Sequence, residues 1–202
     1  MGLKSTYDKI AEDWHEDHKN DDWLLEGTDA FISFLSKGNL ILDVGCGTGI
    51  KAKYLIDHGL KVIGIDFSDK MIEIAKRENP AGDFRVLDLK DISKIQEDFD
   101  AVFAQAVLLH IPKNEAESTL KSLIAKLKPS GYLYVAVKES RPGKSEEEIK
   151  EEEDYGYKYE RFFSYFTKDE IKKYLIDIGL KIVYEIITTS GKTNWIQIVG
   201  QK

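Results

Sequence analysis

The stretch LILDVGCGTG, residues 40–49, decides the fold of this chain. Five mostly apolar residues run into three glycines at alternate positions, Gly45, Gly47 and Gly49. The pattern predicts a buried strand that ends in a tight turn, because glycine accepts positive φ and carries no Cβ. The backbone of such a turn can pass very close to a ligand. We therefore expect a ligand-binding loop directly after the first strand of the core.

The segments around this stretch repeat one rhythm of strand and helix. Segments of helical period separate short apolar runs at 40–44, 61–66, 84–89, 99–106 and 132–138. Strands that are apolar on both faces and alternate with helices predict a parallel sheet covered on both sides. Only four residues separate the last two runs, 181–189 and 194–200, which predicts an antiparallel hairpin. The predicted fold class is α/β, with a doubly wound, seven-stranded mixed sheet whose last strand is antiparallel.

The predicted elements form a single domain over residues 1–202. Its parts are two N-terminal helices (1–37), a ligand-binding core (38–139), a cap inserted after the fifth strand (140–166), and a final helix with the C-terminal hairpin (167–202). The cap begins with a strongly acidic run, which predicts a solvated helix or a mobile lid, since like charges avoid burial. Its second half is rich in aromatic residues, which either pack the cap onto the sheet or wall a ligand pocket.

The composition limits the partners and surroundings of the chain. The net charge is −7 and the isoelectric point is about 5.2, which argues against a dedicated nucleic-acid binder, so no DNA partner is expected. The single cysteine, Cys46, allows no internal disulfide and predicts a reducing, cytoplasmic setting. No apolar run approaches the ~20 residues that cross a bilayer, so no membrane partner is expected. The oligomeric state stays open between monomer and homodimer.

The residues after the glycines exclude two common ligands. A dinucleotide-binding turn needs a glycine where Ile50 stands. A phosphate-binding P-loop needs a lysine and then a hydroxyl residue directly after its last glycine, whereas Ile50 and Lys51 follow Gly49. The loop therefore suits a nucleoside ligand that has no pyrophosphate.

Two acidic residues follow at the ends of the next two strands. Asp66 ends the second strand, where a carboxylate can accept hydrogen bonds from both hydroxyls of a ribose. Asp88 ends the third strand, where it can accept from an exocyclic amine such as that of adenine. Either acid could instead cap a helix. A glycine loop and two acids at three successive strand ends together favour a nucleoside site.

These motifs resemble those of a known family. The stretches ILDVGCGTG, VIGIDFSDKMIEIAK, FRVLDL, FDAVFAQAVLLHI and LKPSGYLYVAVKE look like the successive motifs of class I S-adenosylmethionine-dependent methyltransferases. The resemblance covers residues 38–140 motif by motif, and the terminal hairpin extends it to nearly the whole chain. It implies an enzyme that uses S-adenosylmethionine as cofactor and releases S-adenosylhomocysteine. It does not identify the methyl acceptor.

The resemblance also implies which residues contact the cofactor. At the methionine and ribose end these are Asp43, Gly45, Cys46, Gly47, Gly49, Asp66 and Gln105. At the adenine end they are Phe67, Met71, Asp88 and, through its backbone amide, Leu89. Tyr7 and Trp14 resemble lid residues of the family's N-terminal helix, with ordinary helix packing as the alternative. We interpret Cys46 as a packing residue of the loop and not as a nucleophile.

The residues expected near the methyl acceptor contain fewer recognisable motifs. The stretch AQAVLLH, residues 104–110, lacks the Asn/Asp-Pro-Pro-aromatic motif of enzymes that methylate amino groups of nucleic acids. It also lacks the carboxylates of metal-assisted catechol methylation, and no metal is expected. His110 is the candidate general base, with helix packing or capping as the alternative. His15 and His18 lie on a strongly polar helix and are predicted to face solvent. Candidate substrate contacts are His110 itself, Glu139, Arg161 and Tyr165, of which the arginine would fit an acidic group.

Three functions remain open at this stage. The leading hypothesis is methyl transfer from S-adenosylmethionine to a small-molecule acceptor by in-line displacement. The second is a methyltransferase that acts on a protein or RNA. It would need a basic groove, and the basic cluster near the cap consists of Lys138, Arg141 and Lys144. The third is a non-catalytic module that binds S-adenosylmethionine.

Overall fold

Helices and strands alternate through most of the chain, which the computed structural model describes over residues 2–202. The helices are α1 (Leu3–His18), α2 (Leu25–Ser33), α3 (Ile50–Asp57), α4 (Asp69–Glu78), α5 (Lys113–Ile124) and α6 (Lys168–Asp177). The strands are β1 (Leu40–Val44), β2 (Lys61–Asp66), β3 (Asp83–Val86), β4 (Phe99–Gln105), β5 (Leu127–Lys138), β6 (Glu147–Glu152), β7 (Tyr159–Ser164), β8 (Lys181–Ser190) and β9 (Thr193–Gln201). Short 3-10 turns cover Leu89–Lys94 and Leu108–His110.

One mixed sheet forms the centre of the molecule. Within residues 2–202 it contains seven strands in the order β3-β2-β1-β4-β5-β9-β8. Neighbouring strands run parallel from β3 to β5, whereas β9 runs antiparallel to both of its neighbours. The predicted fold class, a doubly wound seven-stranded sheet with an antiparallel last strand, is confirmed.

Helices cover both faces of this sheet, which explains why its central strands are apolar on both sides. Successive residues of β1 point to opposite faces. Leu42 packs in a cluster with α5 and α6, and Ile41 packs in a second cluster with α2, α3 and α4. Both side chains are fully buried. The two buried layers fix the direction in which the glycine loop leaves β1.

The order of the strands places a crevice next to this loop. From β1 the chain moves outward to β2 and β3, and it then returns to β4 on the other side of β1. At such a switch point the connections leave the sheet in opposite directions, which opens a crevice at the carboxyl ends of the strands. Gly45 follows β1 there, and Gln105 ends β4.

The cap differs from its prediction in one respect. Its acidic run forms strand β6, which pairs antiparallel with β7 as a separate two-stranded hairpin, so the helix alternative for this run is wrong. The acids are accommodated because cationic and phenolic side chains lie opposite or beside them. Arg161 binds Glu152, Lys158 binds Glu151, and the Tyr165 hydroxyl donates to Glu148. Five of the six residues of β6 stay exposed, as the like-charge pattern predicts, and Glu152 is buried where it pairs with Arg161.

The first helix lies over the carboxyl ends of the strands. It packs against α4 and β7, and the Thr6 hydroxyl donates to the backbone carbonyl of Glu160 on β7 at 3.1 Å. At its other side, Arg77 on α4 binds Glu12 through both terminal nitrogens. The helix is thereby attached to both the core and the cap hairpin. From residue 2 to residue 202, no helix is both long and apolar enough to cross a membrane.

Candidate active site

A cavity of about 550 Å³ lies at the carboxyl ends of the strands, between the glycine loop, α1 and the cap hairpin. Most residues that were predicted to form the site line it. They are Tyr7, Trp14, Asp43, Gly45, Cys46, Gly47, Asp66, Phe67, Met71, Asp88, Leu89, Gln105, His110 and Arg161. Side chains from the N-terminal helix, four strand ends and the cap therefore meet around one space.

Two glycines of the loop serve different purposes. Both have positive φ, +53° at Gly47 and +79° at Gly49. A Cβ on Gly49 would lie 2.7 Å from the side-chain amide nitrogen of Asn79, and this glycine, which caps α3, is not among the residues that line the cavity. A Cβ on Gly47 would meet nothing closer than the Trp14 ring, at 3.9 Å. Gly47 therefore leaves open space on the cavity side, and Gly49 is required by packing.

Asp66 is held in place by the loop beneath it. Its Oδ2 accepts from the backbone amide of Gly47 at 3.1 Å, and its Oδ1 accepts from that of Ser68 at 2.8 Å. Burial raises the pKa of this carboxyl group to about 6, although the two amides act in the opposite direction. A carboxylate has about four acceptor positions. Each oxygen can therefore still accept a hydrogen bond from a ligand hydroxyl in the cavity.

Asp43 is buried with an unsatisfied oxygen. Only 3% of its surface is exposed, and in the described part of the chain its Oδ2 has no hydrogen-bond partner. Burial and the neighbouring charge of Asp66 raise the pKa of Asp43 well above its ordinary value. Buried polar atoms in native proteins are almost always paired. A donor from a ligand in the cavity would satisfy this oxygen.

The side of the cavity next to β2 carries two large apolar side chains. Phe67 and Met71 line it, and the Phe67 and Tyr7 rings meet edge to face with centroids 6.0 Å apart. Strand β3 ends earlier than predicted, at Val86, so Asp88 stands beyond it and caps the 3-10 turn by accepting from the amide of Lys90. The capping alternative for Asp88 is therefore realised. Its carboxylate is also exposed to the cavity, where the predicted contact with an amine stays a prediction.

One prediction for α1 is wrong. His15 does not face solvent: it is 5% exposed, and its Nδ1 forms a 3.0 Å hydrogen bond with the hydroxyl of Thr48 in the glycine loop. His18 is half-buried and stacks on Trp14 with ring centroids 4.3 Å apart. One face of α1 packs on the glycine loop, and the polar residues around these histidines in the sequence obscure that pattern. Across residues 2–202 there is no cluster of three or more histidine, cysteine or acidic side chains that could hold a metal ion.

His110 is hydrogen bonded at both ring nitrogens. Its Nδ1 lies 2.7 Å from the carbonyl oxygen of Phe162, which can only accept, so Nδ1 carries the proton. Its Nε2 then accepts from the Tyr7 hydroxyl, also at 2.7 Å. Burial lowers the pKa of His110 to about 3. A ring with this pKa and an occupied Nε2 is a poor general base, and the geometry favours the packing alternative, in which His110 positions Tyr7.

The predicted substrate contacts separate into two groups. Arg161 lines the cavity, but it forms a bidentate pair with Glu152, at 2.6 and 2.9 Å. Glu139 and Tyr165 are not among the cavity-lining residues. Glu139 accepts from the side-chain amide of Asn194, and the Tyr165 hydroxyl donates to Glu148. The structure thus gives no support for substrate contacts at Glu139 and Tyr165.

Several lining residues were not predicted as site residues. Lys138 ends β5, and its Nζ lies 3.9 Å from the centroid of the Phe163 ring. Trp195 stands opposite Lys138 on β9 and contacts Trp23 with ring centroids 4.9 Å apart. The single signal in the sequence for Lys138 is its position at a strand end. The aromatic residues reach the cavity through the pairing of distant segments, for which the sequence has no local signal.

Residues 41–131 match the family model described as a methyltransferase domain. The ubiquinone biosynthesis O-methyltransferase of Coxiella burnetii is 31% identical over 102 residues, which cover 48% of this chain and 43% of that protein. The demethylmenaquinone methyltransferase of Renibacterium salmoninarum is 35% identical over 99 residues, which cover 49% and 41%. The chain thus spans less than half of the length of these curated relatives.

A solved structure with the same fold is the 1,6-didemethyltoxoflavin-N1-methyltransferase of Burkholderia thailandensis, with bound 1,6-didemethyltoxoflavin and S-adenosylhomocysteine. It is 18% identical to this chain, and the superposition covers 99% of this chain and 87% of that one with a TM-score of 0.77. At this level of identity the similarity concerns the fold. It covers the cap and the N-terminal helices as well as the core.

Proposed function

We propose that this chain, whose residues 41–131 match the model of a methyltransferase domain, is a class I methyltransferase that binds S-adenosylmethionine and transfers a methyl group to a small molecule. One observation carries the proposal. A single cavity joins the glycine loop and two buried acids to an aromatic end that α1 and the cap hairpin enclose. Its volume, about 550 Å³, lies within the range of pockets that hold a cofactor or a drug-sized ligand.

The residues at the glycine loop fit the cofactor. Asp43 Oδ2 is a buried acceptor without a donor, which suits the ammonium group of the methionine part or a water bound to it. Asp66 has acceptor positions left for the two ribose hydroxyls. Gly47 leaves room for close approach of the ligand to the backbone. Phe67 and Met71 offer apolar surface for the adenine ring.

The contribution of the chain to the reaction is enclosure and orientation. When bound, S-adenosylmethionine supplies a methyl group on a sulfonium, which an acceptor can displace in line. Helix α1 and the segment after β4 are joined by the hydrogen bond between Tyr7 and His110. This contact helps to keep water out of the cavity and to hold the acceptor in one orientation, which are the main sources of rate in such a transfer.

A small acceptor is favoured over a protein or RNA because the predicted basic cluster is divided. Lys138 lines the enclosed cavity, whereas Arg141 and Lys144 are exposed and are not among its lining residues. The Arg141 guanidinium donates to the backbone carbonyl of Lys192. No continuous basic groove results from this arrangement in the described residues. Two further points stay predictions from the sequence, the cytoplasmic location and the absence of a DNA partner. The oligomeric state stays open between monomer and homodimer.

Binding of the cofactor is tested by calorimetry with S-adenosylmethionine and S-adenosylhomocysteine. We expect saturable binding of both, and Asp66→Ala should weaken it by more than about tenfold, since the buried acceptor for the ribose is lost. Asp57→Ala, on the exposed side of α3, is the matched control. Absence of binding of either compound at millimolar concentration would contradict the proposal.

Methyl transfer requires a separate experiment. Incubation with methyl-labelled cofactor and fractionated metabolite pools should label a low-molecular-mass compound. Label in protein or RNA fractions would favour the macromolecular alternative. If the cofactor binds and no fraction is labelled, the non-catalytic binding module is the better description.

A further inference from the structure

The acceptor end of the cavity contains a lysine in an unusual setting. Lys138 ends β5, and Phe163 of the cap hairpin and Trp195 of β9 line the cavity beside it. Its Nζ lies 3.9 Å from the centroid of the Phe163 ring and 5.8 Å from that of Trp195. Ring faces attract a cation, but they do not neutralise its charge. The ammonium group thus lies between two aromatic rings and faces the cavity.

No carboxylate neutralises this ammonium group. Within residues 2–202, Lys138 has no ion-pair partner. Glu152 and Glu148 are close enough for their charges to act on the pKa of Lys138, but neither binds it. Glu152 is occupied by Arg161 and Lys150, and Glu148 accepts from the Tyr165 hydroxyl. Glu139, the next residue in the chain, is turned toward Asn194. Each nearby acid therefore has another partner.

The neighbouring arginine cannot take the place of Lys138 as the free cation. Arg161 is held by two short hydrogen bonds to Glu152, a fork-to-carboxylate geometry that satisfies most of its charge. It also donates a long hydrogen bond from Nη1 to the Tyr7 hydroxyl at 3.5 Å, and its guanidinium carbon lies 5.2 Å from the centroid of the Phe163 ring. Burial and the charge of Arg161 lower the pKa of Lys138 to about 8, so its amine is still protonated at neutral pH. The uncompensated charge at this end of the cavity belongs to Lys138.

We propose that the acceptor end of the cavity is a binding site for a small planar anion, with Lys138 as its cationic partner and Phe163 and Trp195 as its flat walls. An aromatic acid or an acidic phenol belongs to this chemical class. A half-buried charge without a partner is destabilising, and an anionic ligand would complete the pair. The inference rests on the proposed function in one respect, that this anion is the methyl acceptor.

Two probes of equal shape and different charge test the proposal. We would titrate 4-hydroxybenzoate and 4-hydroxybenzamide at about pH 7 into the free protein and into the protein saturated with S-adenosylhomocysteine. The anion should bind at least about tenfold more tightly than the amide. Cyclohexanecarboxylate, an anion that is not flat, should bind more weakly than benzoate. Equal binding of the last pair would contradict the planar part of the proposal.

Variants of Lys138 assign the preference to this residue. Lys138→Met removes the charge and keeps most of the side-chain length, and we expect it to reduce the preference for the anion to below about threefold. Lys138→Arg should restore it. Lys144→Met, an exposed lysine of the cap, is the matched control and should behave as the wild type. The proposal is overturned if the wild type binds neither probe at about 10 mM, binds both equally, or keeps its preference in Lys138→Met.

The same titrations separate this inference from the proposed function. If S-adenosylhomocysteine does not bind the wild type, the proposed function fails, while the preference for the anion in the free protein still decides the role of Lys138. If the cofactor binds and the preference is absent, the proposed function stands and the anion site is refuted.

Discussion

The Tyr7 hydroxyl donates a hydrogen bond to Nε2 of His110 at 2.7 Å, and this contact joins the first helix to the segment that follows β4. The two rings meet edge to face, with centroids 5.5 Å apart. His110 is fixed in turn by the carbonyl of Phe162 on β7. The lid helix, the core and the cap hairpin therefore meet at one histidine. Its neutral state is a condition for this closure, because a protonated ring has no lone pair with which to accept from Tyr7.

The first prediction follows from this neutral state. The pKa of His110 is about 3 in the folded chain, below the ordinary value near 6.5, so the unfolded chain binds more protons between these pH values. The stability contributed by the neutral ring is complete above about pH 6.5 and is lost as the pH falls. We expect the stability advantage of the wild type over His110→Gln to shrink by up to about 1.4 kcal/mol per pH unit below pH 6.5.

Denaturant unfolding from about pH 7.5 to pH 4.5 measures this difference. Asp43 and Asp66, whose raised pKa values act in the opposite direction, are present in both proteins and largely cancel. His58→Gln, which removes an exposed histidine, is the control. It shows how much of the pH dependence of the difference in unfolding free energy arises from losing any histidine. A constant difference between the wild type and His110→Gln over this range would disprove the neutral buried ring.

The second prediction concerns the pH dependence of cofactor binding. Asp66 has a pKa of about 6 in the free protein because it is buried, and only its ionised form can accept from both ribose hydroxyls. The affinity for S-adenosylhomocysteine should therefore be constant at high pH and fall by up to about tenfold per unit below pH 6. Calorimetry between about pH 5 and pH 8 measures this slope.

The matched variant for this measurement is Asp66→Asn. The amide side chain of this variant cannot ionise, so any pH dependence of its affinity for S-adenosylhomocysteine arises from other groups. Its affinity should approach that of the wild type as the pH falls. Parallel curves for the two proteins would show that Asp66 does not titrate with ligand binding.

The third prediction is a trade-off at Asp43. This carboxyl group is buried beside Asp66 and has an oxygen without a partner. Asp43→Asn removes the repulsion between the two acids, and we expect the free protein to gain about 1 kcal/mol of stability. The variant should also bind S-adenosylhomocysteine more weakly, because the charged acceptor is lost.

Thermal unfolding with and without ligand measures both effects of this substitution. The midpoint of the free variant should rise, while its shift on adding S-adenosylhomocysteine should become smaller than in the wild type. Asp57→Asn serves as the control at an exposed site. A variant that is less stable and binds normally would show that Asp43 is structural.

The cofactor end of the site could be predicted from the sequence because its residues lie in or directly after the last residues of strands. Each strand is a local pattern, and parallel strands bring their carboxyl ends to one edge, so Asp43, Asp66 and Gln105 meet whatever the loops do. The burial of His15 was not predictable in this way. Its polar neighbours dominate the pattern, and its partner Thr48 is 33 residues away in the chain.

The acceptor end depends on pairings that no local pattern encodes. Lys138 meets Trp195 because β9 inserts beside β5, and it meets Phe163 because the cap forms a hairpin. The run of glutamates in β6 has the composition of a solvated helix. It forms a strand that pairs with β7, and Glu152 binds Arg161 there, a tertiary contact that the local pattern does not encode. Of the three cap-side residues predicted to contact the substrate, Arg161 therefore lines the cavity, whereas Glu139 and Tyr165 do not.

The last prediction separates the two purposes of the glycine loop. Gly49→Ala places a Cβ 2.7 Å from the amide nitrogen of Asn79 in a left-handed backbone, and we expect it to destabilise the protein by about 2 kcal/mol or more. Gly47→Ala has the same backbone cost, about 1 kcal/mol, but its Cβ meets only the Trp14 ring, at an ordinary contact distance of 3.9 Å. It should fold and lose most of its affinity for S-adenosylhomocysteine, because the methyl group takes the space of the ligand.

Gly191→Ala is the matched control for Gly47→Ala. Gly191 lies in the turn between β8 and β9 with φ of +57°, and a Cβ there meets nothing within 4 Å. The two variants should lose similar stability in denaturant unfolding, and only Gly47→Ala should lose affinity in calorimetry. Normal binding by Gly47→Ala would mean that the ligand does not approach the loop at this glycine, and the assignment of the loop to the cofactor would then be wrong.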